Sequence, residues 1–295
     1  MTPATPVPTD LCSTYSGMSD KFLDHGLNLS FISLIRERYT QEDASANPSP
    51  IPYSHFPIPL GPNTVRLIVI PIYKASQQLV AKITLLCEAF HKVLPQGIEV
   101  YTNVPERWHI TVFHTSQFDD TRPHPLKPME PDQQGSEPAQ HVMPTSANLQ
   151  QEQETVQMVV SKSQPLVLEV CKVLLADSGT LLVCLTDSRG QLAQLRQNLK
   201  GAFPGAPSRQ TQIVHVSVLR LLTAEQLSKH DRHALQAVCD AFTDSLKGMR
   251  ITATELWYIC ESVFSNIEGT VLAMNTHEHS LSKVVTDPMQ DPAAA

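Results

Sequence analysis

Apolar residues along this chain fall into short runs with two periods. Val65–Ile72 (VRLIVIPI) is apolar and rich in β-branched residues, which predicts a strand. Over Ser76–Leu94, Leu79, Ile83, Leu86, Phe90 and Val93 recur every three or four residues, a helix that Pro95 and Gly97 stop. Arg107–Phe113 (RWHITVF) predicts a second strand and Asn148–Ser163 a second helix. Leu166–Leu175 and Thr180–Thr186 predict a hairpin about Asp177-Ser178-Gly179. Ser188 is the expected N-cap of a helix carrying Leu192, Leu195 and Leu199, ending near Gly201. Gln212–Leu221 (QIVHVSVLRL) follows as a strand. Thr223 and Gln226 form a candidate capping box for a helix closed by Gly248, and the strands Arg250–Cys260 and Glu268–Met274 complete the set. The order strand, helix, strand, helix thus runs from Val65 to Ser163 and again from Thr180 to Lys247.

Proline marks where that regularity stops, because it removes a backbone donor and blocks helix and sheet continuation. Nine of the 23 prolines lie in residues 1–62 and six between Pro123 and Pro144. Residues 1–62 are therefore expected to be a largely irregular arm with a short helix around Ser30–Tyr39, and residues 117–147 a long polar, largely disordered loop. The segment Pro48–Pro62 is expected to be a wrapping or flexible extension rather than an extended ligand for a proline-recognition domain. Residues 276–295 read as a tail, and His277-Glu278-His279 within it as solvated rather than metal-binding.

Composition narrows the classes. The chain has 295 residues, a formal net charge of −7 and only 17% charged residues, below the roughly 25% of an average domain. A surface that coats nucleic acid would be basic, so no DNA partner is expected. The six cysteines form no C-x-x-C pair and sit in apolar runs, which predicts buried reduced thiols. There is no apolar stretch of membrane-spanning length, and the first residues, MTPATPVPTD, lack the layout of a signal or transit peptide. A soluble monomer in the cytoplasm is the expectation, with the nucleus left open. The glycines form no dinucleotide, P-loop or serine-hydrolase motif.

The chemistry is carried by two strands. The pattern H-x-[ST] occurs three times, at His109, His114 and His215. Strand side chains alternate faces, so His109 and Thr111 share one face opposite Ile110 and Val112. Likewise His215 and Ser217 share a face opposite Val214, Val216 and Val218. His114 has the opposite parity to His109 and drops out; Arg220, by the same parity, is placed away from His215. Two imidazoles across one cleft suit phosphodiester hydrolysis, since histidine titrates near neutrality and one ring can act as base while the other acts as acid. The adjacent hydroxyls can hydrogen-bond the non-bridging oxygens as charge builds there. No metal and no cofactor are required.

At these residues the sequence resembles the two-histidine (2H) phosphoesterase superfamily, which includes RNA ligase/cyclic nucleotide phosphodiesterase proteins. Its signature, a pair of H-x-[ST]-hydrophobic tetrads on strands, is matched by His109–Val112 and His215–Val218, 106 residues apart. The stretch WHITVFHTSQFDDTRP resembles plant-type members. The resemblance implies an α+β bilobal fold over residues 63–275, with two antiparallel sheets facing a central cleft, outer helices and an internal pseudo-two-fold repeat. It further implies His109 and His215 as the acid/base pair, Thr111 and Ser217 as phosphate ligands, and opening of a 2′,3′-cyclic, 1″,2″-cyclic or 2′–5′ phosphodiester. The substrate would be a small cyclic nucleotide or an RNA 3′ terminus. Tyr258 and Trp108, with Trp257, are the candidate base-stacking rings. The alternative is a non-catalytic nucleotide or RNA-end binding module on the same fold.

Overall fold

Helices and antiparallel strands alternate through most of the chain, in a computed structural model that describes residues 11–40, 48–120, 124–128 and 143–277. In order these are α1 (Leu11–His25), α2 (Leu29–Arg36), β1 (Val65–Pro71), α3 (Ile72–Ala75), α4 (Gln77–Val93), β2 (Val100–Thr102) and β3 (His109–Ser116). There follow α5 (Ser146–Ser161), β4 (Leu166–Leu175), β5 (Thr180–Thr186), α6 (Gln191–Ala202) and β6 (Val214–Leu221). The last elements are α7 (Lys229–Leu246), β7 (Arg250–Ala253), β8 (Glu255–Glu261) and β9 (Gly269–Asn275). The first residues and the tail from Glu278 onward, like most of the 117–147 loop, lie outside the described residues.

The strands form one sheet in the order β7-β4-β5-β6-β3-β1-β8-β9, with β2 paired on β6. Its two halves meet at a single residue pair, Ile110 against Val216. The two expected sheets are thus two halves of one nine-stranded sheet in an α+β fold, four strands on the β3 side and four plus β2 on the β6 side. The echo seen in the sequence is real: β1-α4-β3-α5 repeats as β5-α6-β6-α7. Each repeat also sends a strand across, since β4, which follows α5, pairs with β5, and β8, which comes after α7, pairs with β1.

Helices α4 to α7 cover one face. Leu79, Ile83, Leu86 and Phe90 of α4, Val156 and Val160 of α5, and Leu192, Leu195 and Leu199 of α6 pack with Ile68, Ile110, Val183 and Val216 of the sheet. Residues with one-sided apolar periodicity were bound to form this layer. Capping differs in detail from expectation. At α6 the Asp187 carboxylate accepts from the amides of Gln191 and Ala193, so Asp187 rather than Ser188 serves that terminus. Helix α7 starts later than expected, on Ser228, whose hydroxyl accepts from the Asp231 amide; Gln226 instead accepts from the Leu27 amide.

The arm contains more helix than its composition suggests. Helix α1 buries Tyr15 and Phe22, and the Tyr15 hydroxyl donates to the Leu185 carbonyl and accepts from the Val214 amide at the end of the β5–β6 ladder. Tyr15 also packs with Leu174, Leu182 and Cys184, on the sheet face opposite α4 to α7. Cys12 of α1 is disulfide-bonded to Cys171 of β4, Cα to Cα 6.5 Å. That corrects the expectation of reduced thiols for this pair: 159 residues separate them, and only the docking of α1 brings them together. Cys87, Cys184, Cys239 and Cys260 are buried free thiols. Within the loop after β3, His124 and Lys127 close over Gly205, where a Cβ would collide with both their carbonyls, so only glycine fits.

Between β1 and α5 lies a buried ion pair. Arg66 (4% exposed) donates through Nε to both carboxylate oxygens of Glu152 (1% exposed), each at 3.1 Å. Glu152 also accepts from the hydroxyls of Thr115 and Tyr258, the latter at 3.0 Å. Removing one partner leaves an uncompensated buried charge. Glu152→Ala is expected to cost about 3–5 kcal/mol in urea unfolding, while Arg66→Met combined with Glu152→Leu costs far less. Equal losses in the single and double variants would show that the charge pairing is not what holds α5 to the sheet.

Candidate active site

Ile110 and Val216 occupy the same place in their motifs, each one residue after its histidine, and both point into the core at 0% exposure. Continuing the antiparallel register one residue either way sets His109 across from Ser217 and Thr111 across from His215. The pairing therefore brings all four polar residues to one patch on the face opposite α4 to α7, each half-buried. The His109 Nδ1 lies 2.8 Å from the Arg107 carbonyl, and the Ile213 carbonyl bears on the His215 ring from the corresponding place, favouring its protonated form. Each ring thus meets the carbonyl two residues upstream.

Both motif strands carry a β-bulge at the residue after the hydroxyl. On β3 the partner register steps from Val69↔Thr111 to Ile68↔Phe113, leaving Val112 extra. On β6 it steps from Leu182↔Ser217 to Leu181↔Leu219, leaving Val218 extra. A bulge shifts every later side chain to the other face. Two parity assignments are corrected by it. Arg220 lies on the same face as His215 and Ser217, and His114 on the same face as His109 and Thr111. The burial pattern agrees, with the more exposed positions of β6 at His215, Ser217 and Arg220 and of β3 at His109, Thr111 and His114. His114 and Arg220 are related by the pseudo-two-fold, each five residues after its motif histidine.

The expected stacking rings are placed differently. Tyr258 and Trp108 are each 1% exposed and packed in the apolar core, so neither offers a face to a base. Tyr258 pairs with Ile68, on the core side of β1. Its neighbour Trp257 pairs with Val69, which also pairs with Thr111, so Trp257 is the aromatic on the cleft face. It stands edge-on to Tyr73 at 5.6 Å, and its indole N–H donates to Glu255.

The Arg220 end is closed by the arm. Tyr39 hydrogen-bonds Arg220, and Tyr53, Phe56, Phe118 and Phe264 form an aromatic cluster around the Arg38 guanidinium. The Tyr53 hydroxyl donates to the buried Glu261 carboxylate at 2.5 Å. Beneath this strap, Ser217, Arg220, Tyr101 and Asn103 enclose about 20 Å³ of free space, room for roughly one water. A separate cavity of about 620 Å³ lies between Pro48–Pro52, His91, Arg107 and Glu268, and touches none of the four motif side chains. Among the described residues no group of three histidine, cysteine or acidic side chains is arranged to hold a metal, and no helix is long and apolar enough to cross a membrane.

Burial lowers the pKa of all three cleft histidines. His109 is lowered by desolvation against the opposing pull of the Arg107 carbonyl. His114 falls to about 4 through burial and the nearby His109, and His215 to about 4 through burial, His109, Arg196 and Arg220. Between about pH 6.5 and 4 the unfolded chain therefore binds protons at His114 and His215 that the fold refuses. Their contribution to stability is complete above that window and is lost as the pH falls through it. The urea midpoint should drop between about pH 7.5 and about pH 5, and less so in His114→Phe; an identical drop in that variant would contradict the assignment.

No family model matches the chain, and no curated protein matches it. Solved structures do. Usb1 of Kluyveromyces marxianus aligns at 10% identity with a TM-score of 0.45, over 72% of this chain and 99% of that one. TT0787 of Thermus thermophilus aligns at 9% and 0.42, over 72% and 100%. LigT of E. coli, complexed with NADP+, aligns at 12% and 0.39, over 73% and 95%.

Proposed function

We propose that this chain is a metal-independent phosphodiesterase of the two-histidine type, acting on a 2′,3′-cyclic or related nucleotide phosphodiester or an RNA 3′ terminus. The observation that carries this is the Ile110–Val216 pair, which puts His109, Thr111, His215 and Ser217 on one face in two-fold-related places. A phosphorus centre between the rings would have an imidazole on each side, as an in-line displacement needs, and a hydroxyl beside each to take a non-bridging oxygen. Arg220 supplies a cation on the same face, suited to a second phosphate or to the charge that builds in the transition state. Trp257 offers the ring for a base. A nucleotide needs hundreds of Å³, so it enters with the Tyr39–Tyr53 strap displaced from the Arg220 end. The acidic net charge of −7 favours a small nucleotide or a single terminus over a long RNA.

A binding module would need no acid/base pair, so turnover separates the two readings. Hydrolysis of 2′,3′-cyclic nucleotides in the presence of a chelator should fall about 10²–10⁴-fold in His109→Ala and in His215→Ala. Full activity in both variants, or activity abolished by the chelator, contradicts the proposal.

A further inference from the structure

The two histidines differ in what stands behind them, in addition to the Arg220 cation that His215 has on its own strand where His109 has His114. On either side of the Ile110–Val216 pair, β3 and β6 splay apart, and the carbonyls that would have continued the ladder need other donors. On one side these are Val112 and Ile213, and on the other their two-fold mates Val218 and Arg107. Arg196, reaching up from α6, fills the first gap: Nε donates to Val112 O at 3.0 Å, and Nη2 to Thr111 O at 3.0 Å and Ile213 O at 3.3 Å. Asn103, buried after β2, fills the second: its amide N–H donates to Val218 O at 3.0 Å and its Nδ2 to Arg107 O at 3.4 Å. The carbonyl that bears on His215 is thus shared with a guanidinium, and the carbonyl that holds His109 with a neutral amide.

We propose that Arg196 is a positioning residue that sets the direction of the acid/base pair, keeping His215 unprotonated as the base and leaving His109 to carry the proton as the acid. This rests on the phosphodiesterase reading above. A cation on the Ile213 carbonyl weakens its hold on a protonated His215 ring and repels the charge directly, whereas Asn103 does neither to His109. The charged and titratable groups facing His215 are His109 from β3, Arg196 from α6, Arg220 on its own strand, Cys184 from β5 and Tyr15 from α1. Among the described residues the carboxylate that acts on Arg196 is Asp187, whose oxygens are engaged at the α6 N-terminus. In the reaction, the oxygen of water bonds to phosphorus as its proton passes to His215. The bond from phosphorus to the leaving ribose oxygen breaks as His109 gives that oxygen its proton. His215 then holds the proton and His109 is neutral, and exchange with solvent restores the pair.

Titration of ring ¹³C-labelled histidines by NMR tests this without any need for turnover. In Arg196→Gln the His215 pKa should rise by about one unit or more while His109 moves far less, and Arg196→Lys should stay nearer the parent. An unmoved His215, or equal shifts of both rings, overturns the proposal. If Arg196→Gln fails to fold, Asn103→Asp serves: it should raise His109 selectively, and a shift falling on His215 instead is the contrary result. Turnover of a nucleoside 4-nitrophenyl phosphodiester, whose leaving group needs no proton, then reads the roles. His109→Gln should lose much less rate on it than on a ribonucleotide substrate, and His215→Gln should lose about equally on both. The reverse pattern reverses the assignment. Loss of no activity in either variant defeats the phosphodiesterase reading, while the titration still decides the role of Arg196.

Discussion

One residue pair holds the two halves of this molecule in register. Ile110 and Val216 face each other across β3 and β6, and no further pair joins those strands. An antiparallel contact between equivalent residues is self-matching, so it fixes both motif strands at once and places each histidine across from the other motif's hydroxyl. A slip of one residue would turn both imidazoles into the apolar layer beneath and bring isoleucine and valine to the cleft. The register is protected by what the slip would cost: Ile110, Val112, Val214 and Val216 would all leave the core. The join is short because the two bulges bend the strands apart, and it survives because Arg196 and Asn103 satisfy the carbonyls that the splay exposes.

The arm belongs to this architecture. Strands β1 and β5 are buried along both faces, one against α4 to α7 and the other against arm and loop residues. Helix α1 covers the cleft face of β4 and β5 beside His215, and the segment around Tyr39 and Tyr53 covers the Arg220 end. These contacts exclude water from the histidines, which is what lowers their affinity for protons. The same desolvation would strengthen every hydrogen bond made to a phosphate held there.

Much of this was legible in the residues. The strand and helix order from Val65 onward follows from apolar periods, and the internal repeat from their recurrence. The His109 and His215 placements follow from alternation near the start of each strand, before any irregularity intervenes. Alternation then failed at Arg220 and His114, because Val112 and Val218 bulge and nothing in HITVFH or HVSVLR announces an extra residue. It also could not rank Trp257 above Tyr258, since the cleft side of β8 depends on its pairing with β1. Helix α1 escaped notice because its polar residues hide a sparse apolar stripe of Tyr15 and Phe22 that only the sheet completes. The Cys12–Cys171 link escaped with it. Arg196 had no signal at all: an arginine on an amphipathic helix reads as solvent-facing until the split between β3 and β6 is seen.

On the proposed function, both imidazoles address one phosphorus atom. A crystal structure of the complex with a uridine vanadate, a mimic of the trigonal-bipyramidal phosphorus, tests it most directly. A ring nitrogen of His109 and one of His215 should lie within hydrogen-bonding distance of opposite apical oxygens, with the Thr111 and Ser217 hydroxyls on the equatorial ones. Vanadate bound away from these residues, or touching only one of the two rings, would contradict it.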